Sequence, residues 1–234
     1  MVEMRPVEAR EFWTALMDNA SSLVADARCL LSAGSFGRAR SLTVLAQEEL
    51  GKALWIYDAF QGAWSQGDEK FRTVEQLAQY GLNHTRKYLE AVVFGDELAE
   101  FWGDYSAMSD LGTDQEAWEA IGNRWCEEAA VAAKEANRAK QRGFYVDRGS
   151  DGTVLSPTEV PAGTIAEDLQ TAARVIEMLL IRDHSRMKFE AVTPYDSTHP
   201  QQFRLLAISH PEEWAAATGK PTSAVEEDDH GTAR

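Results

Sequence analysis

Glu49 and Lys52 stand three residues apart in the run Glu48-Glu49-Leu50-Gly51-Lys52, on a helical stripe that also carries Leu42, Leu45 and Ile56. A carboxylate and an ammonium turned towards the packed side of a helix must be paired, because burying a lone ion costs on the order of several kcal/mol. At this spacing they can pair with each other. The pair either fastens two helices or forms one wall of a polar cleft. Asn19 falls on an apolar stripe of the preceding helical segment, and a buried Asn needs partners that Glu49 or Lys52 would supply. His84-Thr85-Arg86-Lys87 is a second cluster. It sets an imidazole one turn from an ammonium, which favours the neutral base form of the histidine, although a lone histidine also serves structure or simply faces solvent. The third runs from Arg138 through Lys140, Arg142 and Tyr145 to Asp147. Basic side chains there suit the negative end of a helix dipole, and Arg beside a tyrosine hydroxyl is also a good clamp for phosphate.

Other chemistries find little support. There is no glycine-rich phosphate loop, no Cys/His metal spacing and no Gly-x-Ser-x-Gly elbow. Glu48 and Glu49 resemble a carboxylate iron helix only superficially, because no Glu-x-x-His pair follows. No metal and no cofactor are expected. The net charge of −15 disfavours non-specific binding to nucleic acid or anionic lipid, yet Lys134, Arg138, Lys140, Arg142 and Arg148 leave a local cationic stretch. No apolar run approaches a membrane span and no secretion signal opens the chain, so a cytoplasmic setting is expected. Cys29 and Cys126 are expected as buried, reduced thiols.

The elements that must position these side chains are helices. Periodicity predicts one over 8–32, with Phe12, Leu16, Asn19, Leu23, Ala27 and Leu30 inward, and a second over 36–62, joined by a short turn at Gly34-Ser35. A third is expected over 70–91, a fourth over 114–141 and a last over 165–190, with Gly143 breaking the fourth and Thr164 capping the last. Tyr145-Val146 and Thr153-Val154-Leu155 can form a small β-hairpin. The fold expected is an all-α bundle over 1–192 with an irregular insertion at about 63–112, whose part from 94 to 112 can serve as a lid. Short helices and a disordered acidic tail, with Glu226-Glu227-Asp228-Asp229, are expected over 193–234.

In order along the chain, Asn19-Ala20, Ala33 to Ala39, Ala46-Gln47-Glu48-Glu49-Leu50-Gly51-Lys52-Ala53, His84-x-x-Lys87 and Lys140-Gln141-Arg142-Gly143-Phe144-Tyr145-Val146-Asp147 resemble the AbiV-type abortive-infection proteins of the HEPN superfamily. The resemblance covers roughly residues 15–190. It implies a HEPN-like helical bundle, frequently dimeric, used against phage through translation shut-off, and in many HEPN proteins a metal-independent RNase. It therefore implies a catalytic set of Glu49, Lys52, His84, Arg142 and Tyr145, with Asn19, Lys87, Arg138, Lys140 and Asp147 holding RNA. In that set His84 is the general base, Lys52 and Arg142 offset charge on the phosphorane, Glu49 holds Lys52, and Tyr145 binds phosphate or protonates the leaving oxygen. RNA as substrate, a phage-encoded activator and a second copy of the chain are the partners implied. One departure stands out. Active HEPN RNases carry Arg, four to six residues, then His near the start of the last core helix. The match here, Arg204 to His210, lies beyond the last long helix, with Leu205 where a polar residue is usual, and reads as accidental. A non-enzymatic effector that binds a phage protein or the translation machinery is the alternative, and a helical nucleotide-binding protein a weaker third reading.

Overall fold

The computed structural model describes residues 2–101 and 115–192. The centre of the molecule is the helical hairpin of α1 (Pro6–Ser32) and α2 (Phe36–Gln66). The connection turns at Gly34, whose φ of 71° lies in the left-handed region that glycine enters without strain. On α1 the buried face is Trp13, Leu16, Met17, Ala20, Val24 and Ala27. It keeps Leu16 and Ala27 of the expected stripe and otherwise lies one position further along. Trp13 anchors it, with its ring 5.9 Å from Tyr57 and 6.2 Å from Trp64 on α2. Phe12, Asn19 and Cys29 are exposed. Asn19 is therefore no buried amide seeking partners, and the Cys29 thiol is not a core group. The side chain of Cys126 lies outside the described residues.

A helix that buries nearly its whole circumference must have neighbours on every side. α2 does, packing against α1, α4 (His84–Phe101), α5 (Gln115–Phe144) and α6 (Ile165–Ser185). Leu50, Ala53, Ile56, Tyr57 and Phe60 are fully enclosed, together with Leu169, Ala172, Ile176 and Leu179 of α6. α6 continues through a single π-helical stretch, Arg186–Glu190. The all-α bundle is as expected, and a small hairpin is present as β3 (Asp147–Arg148) with β4 (Val154–Leu155), slightly displaced from the predicted pairing.

Two features differ from the sequence-based expectation. The helix predicted over 70–91 is divided: α3 spans Glu75–Tyr80, and α4 begins afresh at His84. Asn83 causes the restart, its side-chain oxygen accepting from Arg86 N at 3.1 Å in the manner of an N-cap. α4 packs against α2, with Ala91 in the core. Just upstream, β2 (Arg72–Thr73) pairs antiparallel with β1 (Glu3–Met4). The expected lid falls largely on residues outside those described, as do the acidic tail and Arg204 and His210. No helix among the described residues is long and apolar enough to cross a membrane.

At the far end, Asp183 is fully buried and binds Arg10 of α1 at 2.9 and 2.5 Å and Arg186 at 2.9 and 3.1 Å. Tyr57 lies nearby, and burial, reinforced by Asp183, pushes its hydroxyl up to about 12. Because the folded state holds this proton more tightly than an unfolded chain with a tyrosine near 10, the contribution is complete below pH 10. It is lost as pH rises towards 12. Urea denaturation across that range is expected to show wild type losing stability faster than Tyr57→Phe; parallel curves would refute the assignment.

Candidate active site

Glu48, rather than Glu49, is the hub of the charged cluster. Its side chain is 3% exposed, and each oxygen is occupied. Oε1 accepts from the Lys140 ammonium of α5 at 2.5 Å. Oε2 lies 2.6 Å from Nδ1 of His84, the first residue of α4, and 3.6 Å from the ammonium of Lys87 one turn along. Three helices meet on one carboxylate. Because an ionised carboxylate only accepts, the close contact puts the proton of a neutral imidazole on Nδ1 and leaves Nε2 as the free lone pair. The His84 side chain is 52% exposed, so that lone pair is within reach of a ligand. The immediate partner of the ring is a carboxylate, not the lysine that the spacing suggested.

Small residues make the convergence possible. A Cβ at Gly51 would lie 1.9 Å from the backbone oxygen of Lys87, so α4 approaches α2 to a distance that only glycine allows. A Cβ at Gly143 would lie 2.0 Å from Gly37 O and 2.1 Å from Ser41 Oγ. Ser41, fully buried, lies 2.8 Å from Lys140 O and donates its hydroxyl across the α2–α5 contact. Gly143 is thus a packing residue within α5, which runs on to Phe144, and not the break expected there.

Glu49 and Lys52 do pair, at 2.7 Å, each about one-fifth exposed beside the hub. Lys87 responds to the whole group. Burial holds it below the usual lysine range and Lys52 and Lys140 add to the depression, while Glu48 and Glu49 pull the other way. Two glutamates against three lysines leave one positive charge in excess beside the imidazole, an island of opposite sign in an acidic chain. It suits an anion.

The other expected residues stand apart from this group. Arg138 and Arg142 are exposed and both face Glu135 at 3.6 Å. They lie two residues either side of Lys140, roughly 200° round the helix, so they cannot share its direction. Tyr145 and Asp147 are exposed beyond the end of α5, and Asn19 is exposed on α1. Of the ten positions expected, the structure gathers Glu49, Lys52, His84, Lys87 and Lys140 around a sixth, Glu48, that the stripe argument passed over. A third stripe, Ser41, Val44, Glu48, Gly51 and Trp55, carried the signal: small residues around a carboxylate at helical spacing mark a close contact that must bring a cation.

A profile of the HEPN superfamily described as AbiV (HEPN_AbiV) matches residues 8–177. The chain belongs to the AbiV family. All six residues of the AbiV cluster, together with Gly51 and Gly143, fall inside the matched span. Arg204 and His210 fall outside it. No curated protein and no solved structure matches the chain. Membership makes this an abortive-infection protein of the defence type.

Replacing glycine by alanine in a helix ordinarily stabilises it by about 1 kcal/mol. Gly51→Ala is expected to do the opposite, lowering stability in urea by about 1–3 kcal/mol as α4 is forced away. A gain would refute the close approach. Glu48→Ala is expected to cost about 3–5 kcal/mol by stranding buried lysines, against about 1 kcal/mol or less for Glu49→Ala. Equal losses would remove Glu48 from the centre.

Proposed function

We propose that this AbiV protein is an anti-phage effector that cleaves RNA without a metal and so shuts off translation. It works in the cytoplasm as a homodimer, with a phage-encoded protein as its trigger. The observation that supports the reading is the Glu48–His84 contact, which fixes the imidazole with one nitrogen tied to a carboxylate and the other free.

Such a ring is oriented to take a proton. His84 Nε2 accepts the proton of a ribose 2′-hydroxyl, and the freed oxygen attacks the adjacent phosphorus. The P–O5′ bond then breaks, O5′ leaves with a proton from water, and the strand carries a 2′,3′-cyclic phosphate. Lys52, held by Glu49 and about one-fifth exposed, offsets charge on the phosphorane. Glu48 is a positioning residue: it holds the imidazole tautomer and stabilises the imidazolium as it forms. Lys87 and Lys140 balance Glu48 from below, being themselves nearly buried. Arg142 and Tyr145, exposed on other faces, take no part in this chemistry, and Arg138 and Arg142 serve instead to hold the strand.

Purified protein incubated with total RNA and with tRNA, alone and with phage-infected lysate, tests this reading. His84→Ala is expected to slow cleavage by about a hundredfold or more, and Lys52→Met to lower kcat with little change in KM. Glu48→Gln, which keeps an acceptor for Nδ1, is expected to retain more activity than Glu48→Ala. RNA bound but never cut would assign the family's effect to binding of the translation machinery or of a phage protein instead.

A further inference from the structure

A cavity of about 230 Å³ opens beside the charged cluster, between α2, α4, α5 and the start of α6. Its walls and the cluster come from the same helices, residue by residue. Gln47 is the chain neighbour of Glu48, Tyr88 of Lys87, and Ala139 of Lys140. On an α-helix one residue is roughly 100° of rotation, so cavity and cluster occupy adjoining faces. Along α5 the cavity stripe of Ala136 and Ala139 runs between Lys140 on one flank and Arg138 and Arg142 on the other.

The cavity is polar in a particular way. Gln47, 4% exposed, has a buried Oε1 with no hydrogen-bond partner among the described residues. Arg40, seven residues earlier and two turns down the same face, has a buried Nε equally without one. Buried polar atoms are seldom left so, because each unmade bond costs free energy that a bound group can recover. One is an acceptor and the other a donor. Asp168, at the first turn of α6, adds a carboxylate that accepts from the Thr164 hydroxyl at 3.1 Å; burial raises its affinity for protons, against the pull of Thr164 and of the Arg40 guanidinium. The alanine methyls of α5 form a smooth wall. The volume falls below the roughly 300–1,000 Å³ of sites that enclose a whole drug-sized ligand. It suits a flat ring whose substituents stay outside.

We infer that this cavity is a base-recognition subsite that takes guanine, with Arg40 donating to the O6/N7 edge and Gln47 and Asp168 accepting from the ring and exocyclic N–H groups. Arginine donation to O6 and N7 is the commonest specific contact to that base in duplex DNA, and the same edge is open on an unpaired guanine. The exposed Arg138 and Arg142 at the rim, joined through Glu135, face the phosphates on one side, and His84 and Lys52 lie towards the other. This rests on the RNA reading above and gives it a specificity: cleavage next to guanosine.

Titrating the full-length protein with GMP, AMP, CMP and UMP by calorimetry tests the cavity apart from the chemistry. GMP is expected to bind tightest. Gln47→Leu and Arg40→Met, checked for native circular dichroism, are each expected to weaken it by at least about fivefold, the lower bound for one good base contact. His84→Ala is expected to leave GMP affinity unchanged while stopping RNA cleavage. Binding of GMP by a protein that never cuts RNA would keep the subsite and sink the ribonuclease. Cleavage indifferent to the neighbouring base would do the reverse. Failure of all four nucleotides to bind, a preference for AMP, or GMP affinity unmoved in both cavity variants would overturn the assignment of guanine.

Discussion

A carboxylate taken out of water loses more hydration than any single contact restores, and Glu48 is almost wholly out of water. The architecture around it follows from that requirement. Lys140 and Lys87 must be close, so α5 and α4 must lie against α2, and at Gly51 and Gly143 the helix surfaces must carry no side chain. The histidine then completes the shell of the carboxylate at the solvent edge. Each lysine would be as costly to bury alone as the glutamate. The members of the group therefore stabilise one another, and removing one leaves an uncompensated charge.

Much of the fold was legible because periodicity reports burial directly. The hairpin of α1 and α2, the long α5 and the final α6 all follow from apolar spacing with glycine or proline at their ends. The errors came where one competing residue outweighed a pattern. Trp13 drew the buried face of α1 partly off the expected stripe, and Asn19 went to the surface. Asn83 captured a backbone N–H and restarted a helix that apolar spacing had drawn straight through. The β1–β2 pairing spans two-residue strands, too short for alternation to register.

The site was legible in its parts and not in its centre. Its histidine and the two lysines later found around Glu48 were visible as clusters, but adjacent glutamates look alike in a sequence. Glu49 lay on an apolar stripe, while Glu48 lay among Ser41, Val44 and Gly51, where smallness and not hydrophobicity marks the buried side. The tilt of one helix on another decides which glutamate a lysine 92 positions away will meet. The arginines following α5's alanine stripe were correctly seen as cationic, yet helical rotation separates them from Lys140 by most of a half-turn.

The distances in sequence have an order in time. As the chain leaves a ribosome, Glu48 emerges 36 residues ahead of His84 and 92 ahead of Lys140, and Arg10 waits 173 residues for Asp183. A nascent α1–α2 hairpin thus carries Glu48 without the His84 and Lys140 contacts of the folded protein, which keeps that face hydrated. The buried carboxylate meets the Lys140 ammonium only after α5 has been made. The completing charge of the cluster therefore arrives late in translation.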